Sequence, residues 1–436
     1  MNALARRIDE ALAGTPLSAR LSPASASFAL RRGGDSAAHR IGPEALRGLA
    51  RLVATQPAMA SFLSNRPAWL ERAADLGPHT LAERGASLAG DGAALAGQGL
   101  EDALDLLRLR RREEMALAAC ADLAGLVPFE AVSEFLSLVA EATTRAALDL
   151  ARRHLPDSLV DGAFAVIGMG KIAGREFTYH SDLDLIFLYR GGAAEIDRAS
   201  RLGQRLIAYL TTMTGAGIAY EVDTRLRPSG QQGMLVASFA GYERYQTRGA
   251  ATWEHLAMLR ARPIAGALEE AAAGLRGVRA AVIPCAKPPW AELAELRQRV
   301  VDERARGDDG AAAFKTGVGG LMDVDFVAGG GVLERGAARF PELPSVRALL
   351  SAAAPPGAGE ELLSDYQLLR RVEACARWVA GRAVERLPGE LTMIAELVET
   401  GLAPEALRER VAAARRRIRA AYDRVIALGS IAGLAG

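Results

Sequence analysis

The sequence predicts an α+β fold: a mixed sheet with flanking helices, preceded by a helical segment and followed by a helical bundle. Three observations carry this. Two long stretches before residue 157 space their apolar residues three and four apart, as one face of a helix does. Between 163 and 239 the pattern changes to short apolar or alternating runs bounded by glycine and proline, as strands are. From about 290 the helical spacing returns.

In order along the chain, residues 1–45 are rich in Ala, Ser, Gly and Arg and lack sustained periodicity. A loosely ordered lead-in with one short helix is expected there. Residues 46–157 are expected to form a helical N-terminal region packing on the core. Leu46, Leu49, Leu52, Val53, Phe62 and Leu63 give helical spacing over about 44–75, and the Gly/Ala-rich 83–97 reads as a connection. Helices follow over 101–124 (Leu104, Leu107, Met115, Leu117) and 129–154 (Val132, Phe135, Leu136, Val139, Leu148), with Pro128 between them, where a helix start tolerates it.

Residues 158–288 are expected to form the catalytic core. AFAVIG (163–168) and DLDLIFLY (182–189) read as buried strands, 198–213 as a helix, and IAYEVDTRLRP (218–228) as an alternating strand stopped by Pro228. MLVASF (234–239) is a fourth strand, and 241–262 is mixed and mostly helical. Residues 289–436 are expected to form a C-terminal helical bundle. Its helices are WAELAELRQRVVDERAR, LMDVDFVAG, 359–384 and 404–428, with loops at 353–358 and 386–389. No internal repeat is present.

Composition narrows the function classes. Half of the 436 residues are apolar, enough for a sizeable core. The 53 basic and 52 acidic residues leave a net charge of +1, which argues against a nucleic-acid-coating protein. No run of 18 apolar residues suggests a membrane span, and MNALARRIDEALAG lacks the apolar core of a signal peptide. Cys120, Cys285 and Cys375 are scattered and odd in number, which fits a reducing cytoplasm better than a disulfide framework or a zinc site. Only Lys171, Lys287 and Lys315 are lysines; the other basic residues are arginines. A lysine kept against that bias suits a place needing a compact ammonium.

The chemistry concentrates in FAVIGMGKIAGREFTYHSDLDLIFLY (164–189). A buried strand enters a turn with Gly168, Gly170 and Gly174, and a second buried strand opens at Ser181-Asp182-Leu183-Asp184. Residues two apart on a strand share a face, roughly 6.5–7 Å apart, so Asp182 and Asp184 can hold hard cations such as Mg²⁺ together with substrate phosphates. Two such ions clamp the attacking and leaving oxygens of an in-line displacement.

The third carboxylate is expected from Glu221-Val222-Asp223-Thr224-Arg225-Leu226-Arg227. There Glu221, Asp223, Arg225 and Arg227 would share one strand face. Asp223 is the third ligand, and Arg225 and Arg227 either hold phosphates or lock the carboxylates. Small residues in the glycine turn let backbone N–H groups approach phosphates, with Lys171 as counter-charge and Ser181 beside them. No GxxxxGK[ST] loop is present. Taken singly, each feature also has a plain reading as a solvated loop, an ordinary turn or a salt-bridged surface. It is the joint order that is distinctive.

That order resembles the nucleotidyltransferase superfamily that includes DNA polymerase β. Within it, GMGKIAGREFTYHSDLDLIFLY, YEVDTRLRPSG (220–230), the WEH at 253–255 and KTGVGGLMDVDF (315–326) resemble the bacterial glutamine-synthetase adenylyltransferases, over about residues 46–430. Members of that family are normally about twice this length. One half adds AMP to a tyrosine of glutamine synthetase, and the other removes it by phosphorolysis. YEVD, RLRPSG and WEH are similar to the adding, C-terminal half. The resemblance implies ATP as substrate, Mg²⁺ on Asp182, Asp184 and Asp223, glutamine synthetase as protein substrate and a PII signalling protein as regulator. It implies no nucleic-acid or membrane partner. The rival readings are an adenylyl-removing phosphorolase and a non-catalytic regulator that binds glutamine synthetase or nucleotide.

The sequence departs from the family in two places. Ala173-Gly174 stands where Gly-Gly is usual. Gly329-Gly330-Gly331 stands where a Gln-containing helix is usual, and glycine weakens a helix by about 1 kcal/mol per residue relative to alanine. Asp323 and Asp325 suit a helix N-terminus, with contact to nucleotide or catalytic domain as the functional alternative. His180 is expected to pack or hydrogen-bond locally and His255 to join a domain contact. Arg415-Arg416-Arg417-Ile418-Arg419 reads as a solvated helix face.

Overall fold

The computed structural model describes residues 3–18, 40–88, 92, 95, 97–155, 162–283, 290–304, 313–336 and 340–435. Cys285, Lys287 and the expected boundaries at 157/158 and 288/289 lie outside these residues.

The chain opens with α1 (Ala3–Ala11). Leu4, Ile8 and Leu12 of this segment are buried in the main core. Apolar residues four apart give even this short helix a face to bury. The expected helical run over 44–75 divides into α2 (Pro43–Thr55), α3 (Pro57–Leu63) and α4 (Pro67–Ala74), each with proline in its first turn. Proline has no N–H to lose there, so it starts a new helix where it would break an old one. Helix α5 (Thr80–Ser87) occupies part of the expected connection. The long helices α6 (Leu100–Ala124) and α7 (Phe129–Arg153) stand as expected, with Gly125 in the left-handed region at the turn between them.

Among the described residues the sheet has five strands: β1 (Phe164–Met169), β2 (Leu183–Tyr189), β3 (Val222–Asp223), β4 (Val236–Ser238) and β5 (Ala261–Gly266). β1 runs antiparallel to β2 and β5, while β3 and β4 both pair parallel to β2, giving the order β3-β2-β1-β5 with β4 beside β2. β5 is absent from the expectation for 241–262. Its Pro263 sits at a register irregularity on an edge strand, where a missing ladder donor is tolerated.

Helix α8 (Gly170–Ala173) follows β1, and α9 (Ile196–Thr211) covers one face of the sheet. Helices α10 (Phe239–Arg248), α11 (Thr252–Leu259) and α12 (Leu268–Val282) lie toward the other. Phe164 and Val166 enter the main core, whereas Ala165, Ile167 and Met169 enter a second core with Tyr242, Met258 and Leu275. Burial on both faces explains why β1 is apolar throughout.

The C-terminal helices are α13 (Trp290–Arg304), α14 (Leu321–Arg335), α15 (Val346–Ala353), α16 (Glu360–Ala380), α17 (Thr392–Val398) and α18 (Pro404–Leu428). They share the main core with the N-terminal helices. Arg51 of α2 pairs with Glu396 of α17 at 3.0 Å, and the Trp378 indole donates to Thr55 Oγ1 at 2.9 Å.

Helix α14 runs through Gly329, Gly330 and Gly331, each buried. A Cβ at these positions would stand 2.7 Å from Leu256, 2.6 Å from Trp290 and 2.8 Å from Ile431, so the bare backbone admits three neighbours. The Arg415–Arg419 run is a solvated face only in part, since Arg416 and Arg417 are exposed. Arg415 is buried and donates to the Val318 carbonyl, while Arg417 pairs with Asp365. The Val318 carbonyl in glycine-rich 317–320 is satisfied by the long Arg415 side chain.

Candidate active site

Asp182 stands immediately before β2, Asp184 is its second residue, and Asp223 ends β3. One carboxylate oxygen from each lies within 4.8 Å of the others. The backbone sets this up. Leu183 is fully buried and its N–H donates to the Glu221 carbonyl at 2.9 Å. The parallel register then places Leu183 against Val222 and Asp184 against Asp223. With Leu183 anchored inward, the aspartates on either side of it turn outward to a common point.

The expected strand over 218–228 is corrected. Only Val222 and Asp223 pair, because the Asp223 carboxylate accepts the Arg225 N–H at 2.8 Å and turns the chain. The Arg227 N–H then donates to the Thr224 carbonyl at 3.3 Å. Glu221, Asp223, Arg225 and Arg227 therefore do not share one strand face. The Arg225 guanidinium folds back on Asp223, with Nε 2.7 Å from Oδ2, so it locks a carboxylate. Arg227 Nη1 donates to the carbonyl and hydroxyl of Thr224, both at 2.8 Å, and braces the loop.

The three acids are electrostatically unequal. Burial, followed by the charges of Asp182 and Asp223, pushes the Asp184 carboxyl from its ordinary 3.8 up to about 7. Partial burial also pulls Asp223 upward, but the hydrogen bonds from Arg225 outweigh it and hold that carboxyl below its ordinary value. Three crowded oxygen donors with one reluctant to ionise suit a hard divalent cation such as Mg²⁺, whose charge would relieve the repulsion. Asp182 and Asp223 border an open cleft of about 650 Å³, walled also by Arg225 and Arg227. A second cavity of about 620 Å³, between the start of α7 and α16, contains none of the three.

Of the glycines, Gly170 alone borders the acids. It sits in the left-handed region, and a Cβ on it would lie 3.4 Å from Asp184 Oδ2. Gly168 lies within β1, where its missing side chain admits Ile172 and Ile264; Gly174 makes room for the 344–345 backbone. Both positions are thus closely packed. The Gly170 N–H itself is committed to the Arg260 carbonyl at 2.8 Å.

Ser181 is buried, and its hydroxyl lies between Thr178 and Arg377. The Lys171 ammonium pairs with Glu373 of α16. His180 takes a positive φ, and its carbonyl accepts from Arg377 at 3.5 Å. His255 bonds the Gln246 carbonyl at 2.9 Å. Asp323 is fully buried against Arg297 and accepts the Gly319 N–H at 2.7 Å, as a structural acid does. Asp325 instead reaches Arg260, at 2.8 Å, beside Glu176 of the glycine-turn segment. Arg370, Glu373 and Arg377 were not singled out from sequence. Their signal is charge set inside the otherwise apolar stretch of α16.

The sequence profile of the family described as "Glutamate-ammonia ligase adenylyltransferase" matches residues 46–277, more than half of the chain. The chain belongs to the glutamate-ammonia ligase adenylyltransferase family. Similar curated proteins carry the name "Bifunctional glutamine synthetase adenylyltransferase/adenylyl-removing enzyme". The one from Aromatoleum aromaticum is 32% identical over 90% of this chain and 41% of its own length. That from Chromobacterium violaceum is 33% identical over 79% of this chain and 40% of its own. That from Thioalkalivibrio sulfidiphilus is 35% identical over 65% and 32%. The chain thus spans about a third to two fifths of the length of these adenylyltransferase relatives. Among the described residues, no helix is long and apolar enough to cross a membrane.

Proposed function

We propose that this chain transfers AMP from ATP to a tyrosine of glutamine synthetase. One observation carries the reading: Asp182, Asp184 and Asp223 converge from two separate segments, Asp184 beside Gly170 and the other two on an open cleft. Family membership and the names of the relatives support the substrate. Asp182, Asp184 and Asp223 would hold Mg²⁺, which when bound neutralises phosphate charge and favours the ionised phenol.

In this reaction the tyrosine oxygen attacks the α-phosphorus of ATP. The bond from that phosphorus to the bridging oxygen of the β-phosphate breaks, pyrophosphate departs, and the phenolic proton passes to solvent. The chain's own part is positioning and charge. The β2–β3 register aims the acids, Arg225 holds Asp223 in place, and the Lys171 ammonium acts on the charge of Asp184. The buried thiols Cys120 and Cys375 fit a cytoplasmic setting. A PII signalling protein is proposed as regulator on the family resemblance alone.

The test is incubation of the chain with labelled ATP, Mg²⁺ and glutamine synthetase from the same cell, followed by mass analysis of its tyrosines. Transfer of one AMP, lost in Asp182→Asn and Asp184→Asn variants that still fold, is the expected result. Undiminished transfer by either variant would overturn the assignment. Release of ADP from AMP-modified glutamine synthetase with phosphate, and no forward transfer, would move the chain to the removing reaction.

A further inference from the structure

Helix α16 carries Arg370, Glu373 and Arg377 at spacings of three and four, which place them along one face. All three are buried, at 4%, 0% and 3% exposure. The Glu373 carboxylate receives three cations: Lys171, Arg370, and Arg377 at 3.1 Å. The two arginines reach past it to the segment that leads into β2. Arg370 donates to the Glu176 carbonyl. Arg377 donates to Ser181 Oγ at 3.3 Å and to the His180 carbonyl at 3.5 Å.

One carboxylate from the bundle therefore gathers the cations that hold residues 171–181 at their start, middle and end. The start adjoins Gly170, which borders Asp184, and the end adjoins Asp182. Burial opposes ionisation of Glu373, but the three cations outweigh it and keep the carboxyl charged, well below its ordinary range. Lys171 carries the opposite tension: burial lowers its ammonium to about 7, against the pull of Glu373. The three cations outnumber the carboxylate that gathers them, and the charge of Lys171 reaches Asp184. Glu373 thus assembles an excess of positive charge next to the acids, an arrangement suited to an anionic ligand.

We infer that Glu373 is a positioning residue for nucleotide binding: through Lys171 and the two arginines it holds the 171–181 segment so that the Lys171 ammonium meets the phosphates of ATP. The inference rests on the nucleotidyl-transfer reading above. The retention of lysine at 171 in so arginine-rich a chain fits, since a planar guanidinium would not match a point contact between a carboxylate and phosphate.

Binding of ATP with Mg²⁺ to the full chain, measured by calorimetry without any protein substrate, tests it. The variants are Glu373→Gln, Lys171→Met and their combination, with circular dichroism and melting as checks on the fold; Glu373→Asp replaces Glu373→Gln in the cycle if the latter does not fold. Each single change is expected to weaken ATP binding about tenfold or more, and the double variant to bind no worse than about threefold below the weaker single. Weakening by Glu373→Gln that is the same with and without Lys171, or binding within twofold of the unaltered chain, would overturn the inference and leave nucleotidyl transfer standing. Absence of ATP binding by the unaltered chain would overturn both.

Discussion

Asp184 and Asp223 are register partners across the two-residue parallel pairing of β2 and β3, so the acids that crowd one another are held by adjacent backbones. Arg225 offsets the charge of Asp223, but burial and the two neighbouring carboxylates still leave Asp184 reluctant to ionise.

Removing one of those charges should stabilise the metal-free protein. The folded-state pKa of Asp184 is raised, so its ionisation costs stability, from nothing below the ordinary 3.8 to the full amount above about 7. Asp184→Asn is expected to gain about 1–3 kcal/mol over the unaltered chain at pH 8 in chelator, and little at pH 4. Denaturant unfolding at the two pH values measures it. A loss of stability at pH 8 would show that the carboxylate is not under strain.

Metal should act in the opposite sense. Mg²⁺ or Mn²⁺ at about a hundred times its dissociation constant is expected to stabilise the unaltered chain by about 2–3 kcal/mol. The shift should vanish in Asp184→Asn and diminish as pH falls below 7, where protons compete for the same oxygens. Thermal melts with and without metal, at pH 6 and 8, check both statements.

Gly330→Ala is expected to destabilise despite the better helix propensity of alanine. The new Cβ would stand 2.6 Å from the buried Trp290 ring, whose indole is also tied to Glu334 at 2.8 Å and cannot move aside easily. Overpacking of this kind costs about 1–3 kcal/mol, which exceeds the roughly 1 kcal/mol that alanine returns. An unchanged or raised melting temperature would contradict the packing account of the three glycines.

Asp323→Asn should be costly without touching the metal site. It would leave Arg297, itself 1% exposed, without its carboxylate partner. Breaking a buried pair from one side costs about 3–5 kcal/mol. Mg²⁺ binding by whatever protein remains folded should match the unaltered chain. A selective loss of metal affinity would instead assign Asp323 to the catalytic chemistry.

Much of the site was legible in the sequence because its pieces are local. Strand, glycine turn and Asp182-Leu183-Asp184 lie within 26 residues, and period-two alternation is enough to aim two acids the same way. Asp223 was legible as a third acid, but not its manner of presentation. The alternation in 218–228 suggested a long strand, whereas the Asp223 side chain captures the Arg225 N–H and ends the strand at two residues. A side chain competing for the backbone does not appear in a hydrophobic period.

By itself, then, the sequence determined the long helices on either side of the sheet, the buried strands β1 and β2 and the candidate acids, since these follow from neighbours a few residues apart. Only the tertiary structure decided that β5 closes the sheet edge, that Gly329–Gly331 admit three packing partners, and that Lys171 answers to Glu373 some 200 residues later. The physical reason is that apolar spacing states which face of an element must be buried, but not which element covers it. The partner of a buried charge is set by whichever segment packing brings within reach.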